Sequence, residues 1–193
     1  MHLTRRRIVS ISAVAASLLG IYLIGIAMNN TDTSKRRMES ADKINHLINM
    51  YIREPGNRQF VAAISAYARS DYQFERIYAI SAIGRIGTAS KDDFVEVLVD
   101  GLQSEIQGVE REAAIALGQL GEYASPAVNL LIEKLFSYNE DVGWFSAESL
   151  GLIGPSAAKA IPALSQAAIS GNQIMEENAL EAIRRITRNV EQK

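Results

Sequence analysis

Two kinds of apolar pattern divide the chain. From Ile8 to Met28 no Asp, Glu, Lys or Arg occurs. Beyond residue 40, apolar residues instead recur every three or four positions, the spacing that lines one face of an α-helix. As a helix the uncharged run would span roughly 31 Å, about one bilayer core. Arg5, Arg6 and Arg7 abut its N-terminal side. This predicts a membrane or export segment over residues 1–28, in one of two forms. An uncleaved signal anchor is favoured by a run longer than the roughly 7–15 residues of a signal-peptide core. A cleaved leader, giving a soluble exported protein, is the alternative, with Gly25 and Ala27 as a small-x-small site. The arginines next to the run predict an inner or plasma membrane location, single-pass, with the remainder facing the periplasm or exterior. Residues 29–39 are polar, lack apolar periodicity and read as a tether. Residues 40–53, with Ser40 as cap and Ile44, Leu47, Ile48, Tyr51 and Ile52 at helical spacing, read as a closing helix.

The remainder repeats. Ala79–Gly87, Ala113–Gly121 and Ser146–Gly154 align, and a fourth copy at Ala179–Thr187 has lost both glycines. Small residues followed by large aliphatics mark one helical face in each copy. The final glycine suits a helix C-cap, and the inner glycine, one turn earlier, suits close helix packing. Companion helices are predicted near Phe94–Gln103, Pro126–Phe136 and Ala160–Ala168, and Phe60–Ile64 belongs to the same series. Asp92 and Asp93, Ser125-Pro126, Asn139-Glu140-Asp141 and Pro162 sign the helix starts. The unit is helix, turn, helix. The prediction is an all-α, right-handed α-solenoid of about four helical pairs over residues 40–190, preceded by one transmembrane or signal helix.

Val109–Gly118, Gly118-Gln119-Leu120-Gly121 and above all Leu150–Leu164 carry a resemblance to the HEAT-like repeat of the phycobilisome-lyase type, extending over residues 57–188. Arg76 keeps the arginine usual in that repeat's second helix, whereas Glu110, Gly143 and Glu176 replace it. The resemblance implies a stacked-helix scaffold. Some relatives are bilin lyases, and others bind iron through His-Glu pairs. This chain has no His-Glu pair, so that activity is not carried over.

Charge and chemistry narrow the reading. Residues 1–37 hold six Lys/Arg against one Asp, and the rest holds 14 against 21. An acidic body repels phosphate, which argues against nucleic acid as partner. Cysteine is absent and histidine occurs twice, at His2 and His46. Thiolate sites and multi-histidine metal sites are therefore not predicted, and no cofactor is implied. The carboxylate pairs Asp92/Asp93, Glu140/Asp141 and Glu176/Glu177 stand at helix starts, where capping and the helix dipole account for them.

With the small and aliphatic positions inward, three rows of the repeated helices point out. They are Ile77, Arg111, Trp144 and Glu177; then Ser81, Ile115, Glu148 and Glu181; then Arg85, Gln119, Leu152 and Arg185. Stacking would align them into a concave face. Trp144, Ile115 and Leu152 are apolar where a solvated helix favours charge, and Trp and Arg are frequent binding hot spots. Trp144 and Phe145 could alternatively fold down onto the next repeat as core. The function read from this is a membrane-tethered protein–protein interaction module, non-catalytic, for a protein partner with a basic patch. A lyase-like protein binding a small ligand between repeats, and a structural subunit of a membrane complex, are the alternatives.

Overall fold

The computed structural model describes residues 32–188, and among them every regular element is helical. Contacts divide the chain after Ser40. The described part of the first unit, residues 32–40, is helical and opens α1, which runs over residues 32–53. Residues 32–39, within the segment read as a tether, are helical. Apolar periodicity is not needed there: Lys35 and Glu39 lie 3.9 Å apart at the i,i+4 spacing that supports a solvated helix. Among the described residues no helix is long and apolar enough to cross a membrane. The span read over residues 8–28 lies outside the described residues.

The second unit is the repeat body. After α1 come α2 (Arg58–Ala68), α3 (Gln73–Ile86), α4 (Val95–Leu102), α5 (Gln107–Gln119), α6 (Val128–Lys134), α7 (Glu140–Ile153), α8 (Ile161–Ala167) and α9 (Gln173–Arg188). Each even-numbered helix from α2 to α8 pairs with the helix after it. The longer helices α3, α5, α7 and α9 pack side by side in chain order. This is the helix-turn-helix stack expected from the sequence period.

Three 3₁₀ segments join consecutive pairs, at Gly87–Ser90, Gly121–Ala127 and Gly154–Ala160. The sequence reading took these as turns, with helices starting at Pro126 and Ala160. They are packed elements: Ala124 and Ala127, and in the next repeat Ala157 and Ala160, are fully or almost fully buried. The shorter helices α4 and α6 meet the following repeat through them. The glycines that end α3 and α7 have φ of 57° and 73°, as a C-cap requires, but with ψ of −138° and −141°. That pair lies beyond the left-handed helix, near a region essentially restricted to glycine. Lys91, at the end of the first 3₁₀ segment, has φ 49° without being glycine.

A serine precedes each of α3, α5 and α7. The hydroxyls of Ser70, Ser104 and Ser137 accept the backbone N–H two residues on, at 3.1, 3.2 and 3.2 Å. These serine turns satisfy a backbone donor and set the chain's re-entry angle. In the last repeat Asn172 takes that part, its Oδ1 accepting the Met175 N–H at 3.1 Å.

The core lies between the two helix layers. Phe94, Leu98, Leu117, Leu131, Leu150 and Leu164 are among the fully buried aliphatic and aromatic residues. From α1, Ile44, Ile48 and Tyr51 join it. Tyr51 packs edge-on against Phe94 with ring centroids 5.2 Å apart, and its hydroxyl donates to Asp93 Oδ2 at 2.5 Å. The closing helix read over 40–53 thus seals one end of the core.

The inner glycines let the longer helices touch. A Cβ on Gly118 would lie 2.9 Å from Ser149 Cα, and one on Gly151 would lie 2.8 Å from Ala182 Cα. The facing residue is small each time, so helix backbones approach closely. In α9, Arg184 and Thr187 replace the two repeat glycines. Arg184 and the neighbouring Leu180 are exposed there.

Candidate functional site

The outward faces of α3, α5, α7 and α9 hold every row residue away from the core: none of the twelve is fully buried. Helix geometry places them there because the small and aliphatic positions occupy the opposite face. Within that surface the side chains have different fates.

Ile77, Arg111, Ser81, Ile115, Trp144 and Glu181 are half-buried, while Arg85, Gln119, Glu148, Leu152, Glu177 and Arg185 are exposed. Ile77 leans on the next helix, where Gly108 leaves room for its Cδ1. Gln119 lies across Gly84, and Arg185 lies across Gly151 with its Cδ 3.5 Å from a Cβ built there. Gly84 and Gly151 therefore also seat the side chain of the next repeat's third row. Leu152 remains 42% exposed, a large aliphatic left in solvent.

Several row residues are already engaged inside the molecule, Arg85 and Arg111 among them. Arg85 donates to Asn45 Oδ1 of α1 at 3.1 Å and lies 5.7 Å from the centre of the Tyr78 ring. Asn45 in turn donates to the Tyr78 hydroxyl at 2.8 Å. The role of Arg85 at this end is to hold the closing helix. Arg111 pairs with Glu112 at 3.5 Å.

Charges gather on the α7–α9 side. Glu181 accepts from Arg185 Nε at 2.9 Å and pairs with Arg184. The Arg185 hydrogen bond, with the nearby arginines, holds its carboxyl below the usual range. Glu148, Asn178, Glu181 and Arg185 surround a small cleft of about 60 Å³. Leu152, Pro155, Arg185 and Arg188 line a wider, open one of about 480 Å³.

Trp144 combines both outcomes considered for it. It packs against the core, as Phe145 does, and it lines a third cleft of about 190 Å³. Leu135, Phe136, Glu140, Asn172 and Met175 contribute to its walls. Gly143 opens the floor: a Cβ there would stand 2.9 Å from the Leu135 carbonyl oxygen and 3.0 Å from Met175 Cε. Sequence reasoning missed this cleft. A signal existed, because Phe136 and Ile169 follow one another at the repeat spacing where the earlier copies have Arg69 and Gln103. Phe136 is 54% exposed, and Ile169 83%.

The arginine expected in the second helix of each pair is replaced in α5 by Glu110. That carboxylate is 3% exposed and accepts from Lys134 Nζ of α6 at 2.6 Å. The departure from the repeat pattern is thus an internal ion pair. Among the described residues no group of three His, Cys, Asp or Glu is placed to hold a metal ion.

The comparisons agree with this architecture. Residues 109–137 match the PBS lyase HEAT-like repeat family, a unit spanning α5, the following 3₁₀ segment and α6. No curated protein matches. Among solved structures, an engineered protein superposes with TM-score 0.61 at 24% identity, covering 77% of this chain and 73% of that one. Human deoxyhypusine hydroxylase superposes with TM-score 0.55 at 24% identity, covering 69% of this chain and 46% of the enzyme's. This chain therefore spans less than half of that enzyme. A HEAT-like repeats protein from the archaeon Thermococcus onnurineus NA1 gives TM-score 0.53 at 17% identity, with 79% and 66% covered. At these identities the likeness is one of fold, and that fold is an all-helical stack of HEAT-like repeats.

Proposed function

We propose that this chain is a protein–protein interaction module, tethered to a membrane through residues 8–28 and without catalysis of its own. The observation that carries the reading is the outward face of α5 and α7. Ile115 and Trp144 lie on it half-buried and Leu152 exposed, although a solvated helix is better served by charge there. Repeat stacking makes the core from neighbouring units and leaves one long face free for a partner. Ile115, Trp144 and Leu152 form its apolar part. Glu148, Glu181, Arg185 and Gln119 form a polar margin, the arrangement of an apolar centre and a polar rim found in protein interfaces. The acidic balance of residues 38–193 favours a partner presenting a basic patch. The tether and the outer-face location rest on the uncharged run and its flanking arginines.

The test is photo-crosslinking from positions 115, 144 and 152 of the full chain in intact membranes, with position 166 on α8 as control, followed by mass spectrometry. A shared protein product from the three outward positions, absent from the control, supports the module. Trp144→Ala should abolish that product while leaving far-UV helicity intact. Crosslinks confined to residues 8–28 would move the contact into the membrane segment and refute the reading. The intact mass of the native chain reports in the same run whether the leader is cleaved.

A further inference from the structure

The cleft beside Trp144 has a composition of its own. Its floor and walls are apolar: Trp144, Met175, Leu135 and the half-exposed ring of Phe136. At its rim stands Glu140, the first residue of α7, which accepts from Asn172 Nδ2 at 3.3 Å. Asn172 is itself held, because its Oδ1 caps α9 at Met175. The amide thus steadies the Glu140 carboxylate from the neighbouring repeat. Asp141 follows Glu140 in sequence, and Glu176 and Glu177 follow Met175; among the described residues none of these four carboxylates has a cation within ion-pairing distance. Along the chain, Lys134 before Glu140 is committed to Glu110, and Arg184 and Arg185 beyond Glu177 are committed to Glu181.

An aromatic ring below a carboxylate with no cation of its own is complementary to one chemical group. A guanidinium stacks on an indole face and donates in a fork to a carboxylate, while its methylene stem lies on apolar surface. The volume of about 190 Å³ has room for one long side chain and not for a helix. We propose that this cleft receives an arginine side chain from a partner polypeptide. Its stem lies against Met175 and Phe136, its guanidinium plane on Trp144 and its N–H groups on Glu140. Tyr138, Ile169 and Ile174 are exposed, and each adjoins in sequence a residue that lines the cleft. This assignment rests on the interaction-module reading and adds the partner's chemistry and the point of entry.

Trp144 is the only tryptophan, so its emission reports on this cleft alone. The full chain is titrated with tryptophan-free nine-residue peptide pools carrying a fixed central arginine, citrulline or leucine among degenerate positions. The expected result is a saturable emission change with the arginine pool and at least tenfold weaker binding of the citrulline pool. Glu140→Gln should weaken arginine binding about tenfold at unchanged helicity, and fluorescence anisotropy of labelled peptides gives the same ranking independently. Equal binding of arginine and citrulline, a preference for leucine, no saturable change with any pool, or an unaffected E140Q variant would each overturn the assignment. So would a peptide-free emission change that tracks protein concentration, which would place a second copy of the chain in the cleft. The two readings fail separately. Crosslinks from positions 115 and 152 without arginine preference would remove the cleft assignment and leave the module. Arginine-dependent binding without those crosslinks would do the reverse.

Discussion

Replacing Gly118 with alanine would place a methyl group in a tight backbone contact between repeats. The new Cβ would stand 2.6 Å from Ser149 Oγ, 2.9 Å from Ser149 Cα and 3.0 Å from Ser149 Cβ. Two of those atoms cannot turn away without moving α7. The third is fixed as well, because the Ser149 hydroxyl donates to the Ala114 carbonyl at 2.7 Å in the buried seam. Alanine in mid-helix is worth about 0.8–1 kcal/mol over glycine. Against this, overpacking costs about 1–3 kcal/mol, and loss of the Ser149 hydrogen bond about 0.5–1.5 kcal/mol. The net expectation is destabilisation by about 1–3 kcal/mol, a fall in Tm of roughly 3–10 °C for a body of this size. Gly84→Ala is the internal control. Its Cβ would meet the movable end of the Gln119 side chain and Ala116 Cα at 3.2 Å. The same propensity gain then faces a small steric cost, so the variant should stay within about 1 kcal/mol of the parent. Urea unfolding followed by circular dichroism compares the two. If Gly118→Ala is as stable as Gly84→Ala, backbone propensity and not interhelical contact decides the glycine, and the reasoning fails.

Three further outcomes are expected. Lys91→Gly should stabilise by about 1 kcal/mol in thermal unfolding, since φ 49° strains an L side chain and suits glycine. Lys134→Met should cost about 2–4 kcal/mol by leaving Glu110 buried and unpaired, whereas Lys134→Met with Glu110→Leu should recover most of the loss; urea midpoints distinguish the two. Burial, then the hydrogen bond to Asp93, raises the Tyr51 hydroxyl above its ordinary pKa near 10. A raised folded-state value means that this contribution is complete below about pH 10 and is lost as pH rises beyond it. Melting temperatures taken across the alkaline range should therefore fall more steeply for the parent than for Tyr51→Phe.

Most of the stack could be read from the chain because its cause is periodic. The glycine that admits a neighbouring helix returns every 33 or 34 residues, and so do the buried aliphatics around it. Ser70, Ser104 and Ser137 keep the same interval and were overlooked, because a hydroxyl accepting one N–H leaves no hydrophobic trace. The 3₁₀ segments were hidden for a related reason: alanines such as Ala124 and Ala157 bury little surface each and resemble turn residues until their neighbours are in place. Residues 32–39 escaped because a solvated helix requires no apolar stripe. For the candidate site, outward placement of the rows was legible from helical phase. The engagement of Arg85 by Asn45 was not, since it joins residues 40 apart on elements that only folding brings together. The cleft at Trp144 likewise depends on Gly143, Asn172 and Met175 meeting across two repeats.

The side-by-side order of the longer helices has a consequence for how the molecule breathes. Among the described residues, helices α5 and α7 each lean on a longer helix at both flanks, whereas α9 leans on α7 at one flank. Amide protons should therefore exchange slowest in α5 and α7 and sooner in α9, as a linear lattice melts from its margins. Met175 and Asn172 sit in that looser margin. Anything lodged against them would act as a clip, slowing exchange through α8 and α9 by an amount set by its own dissociation constant.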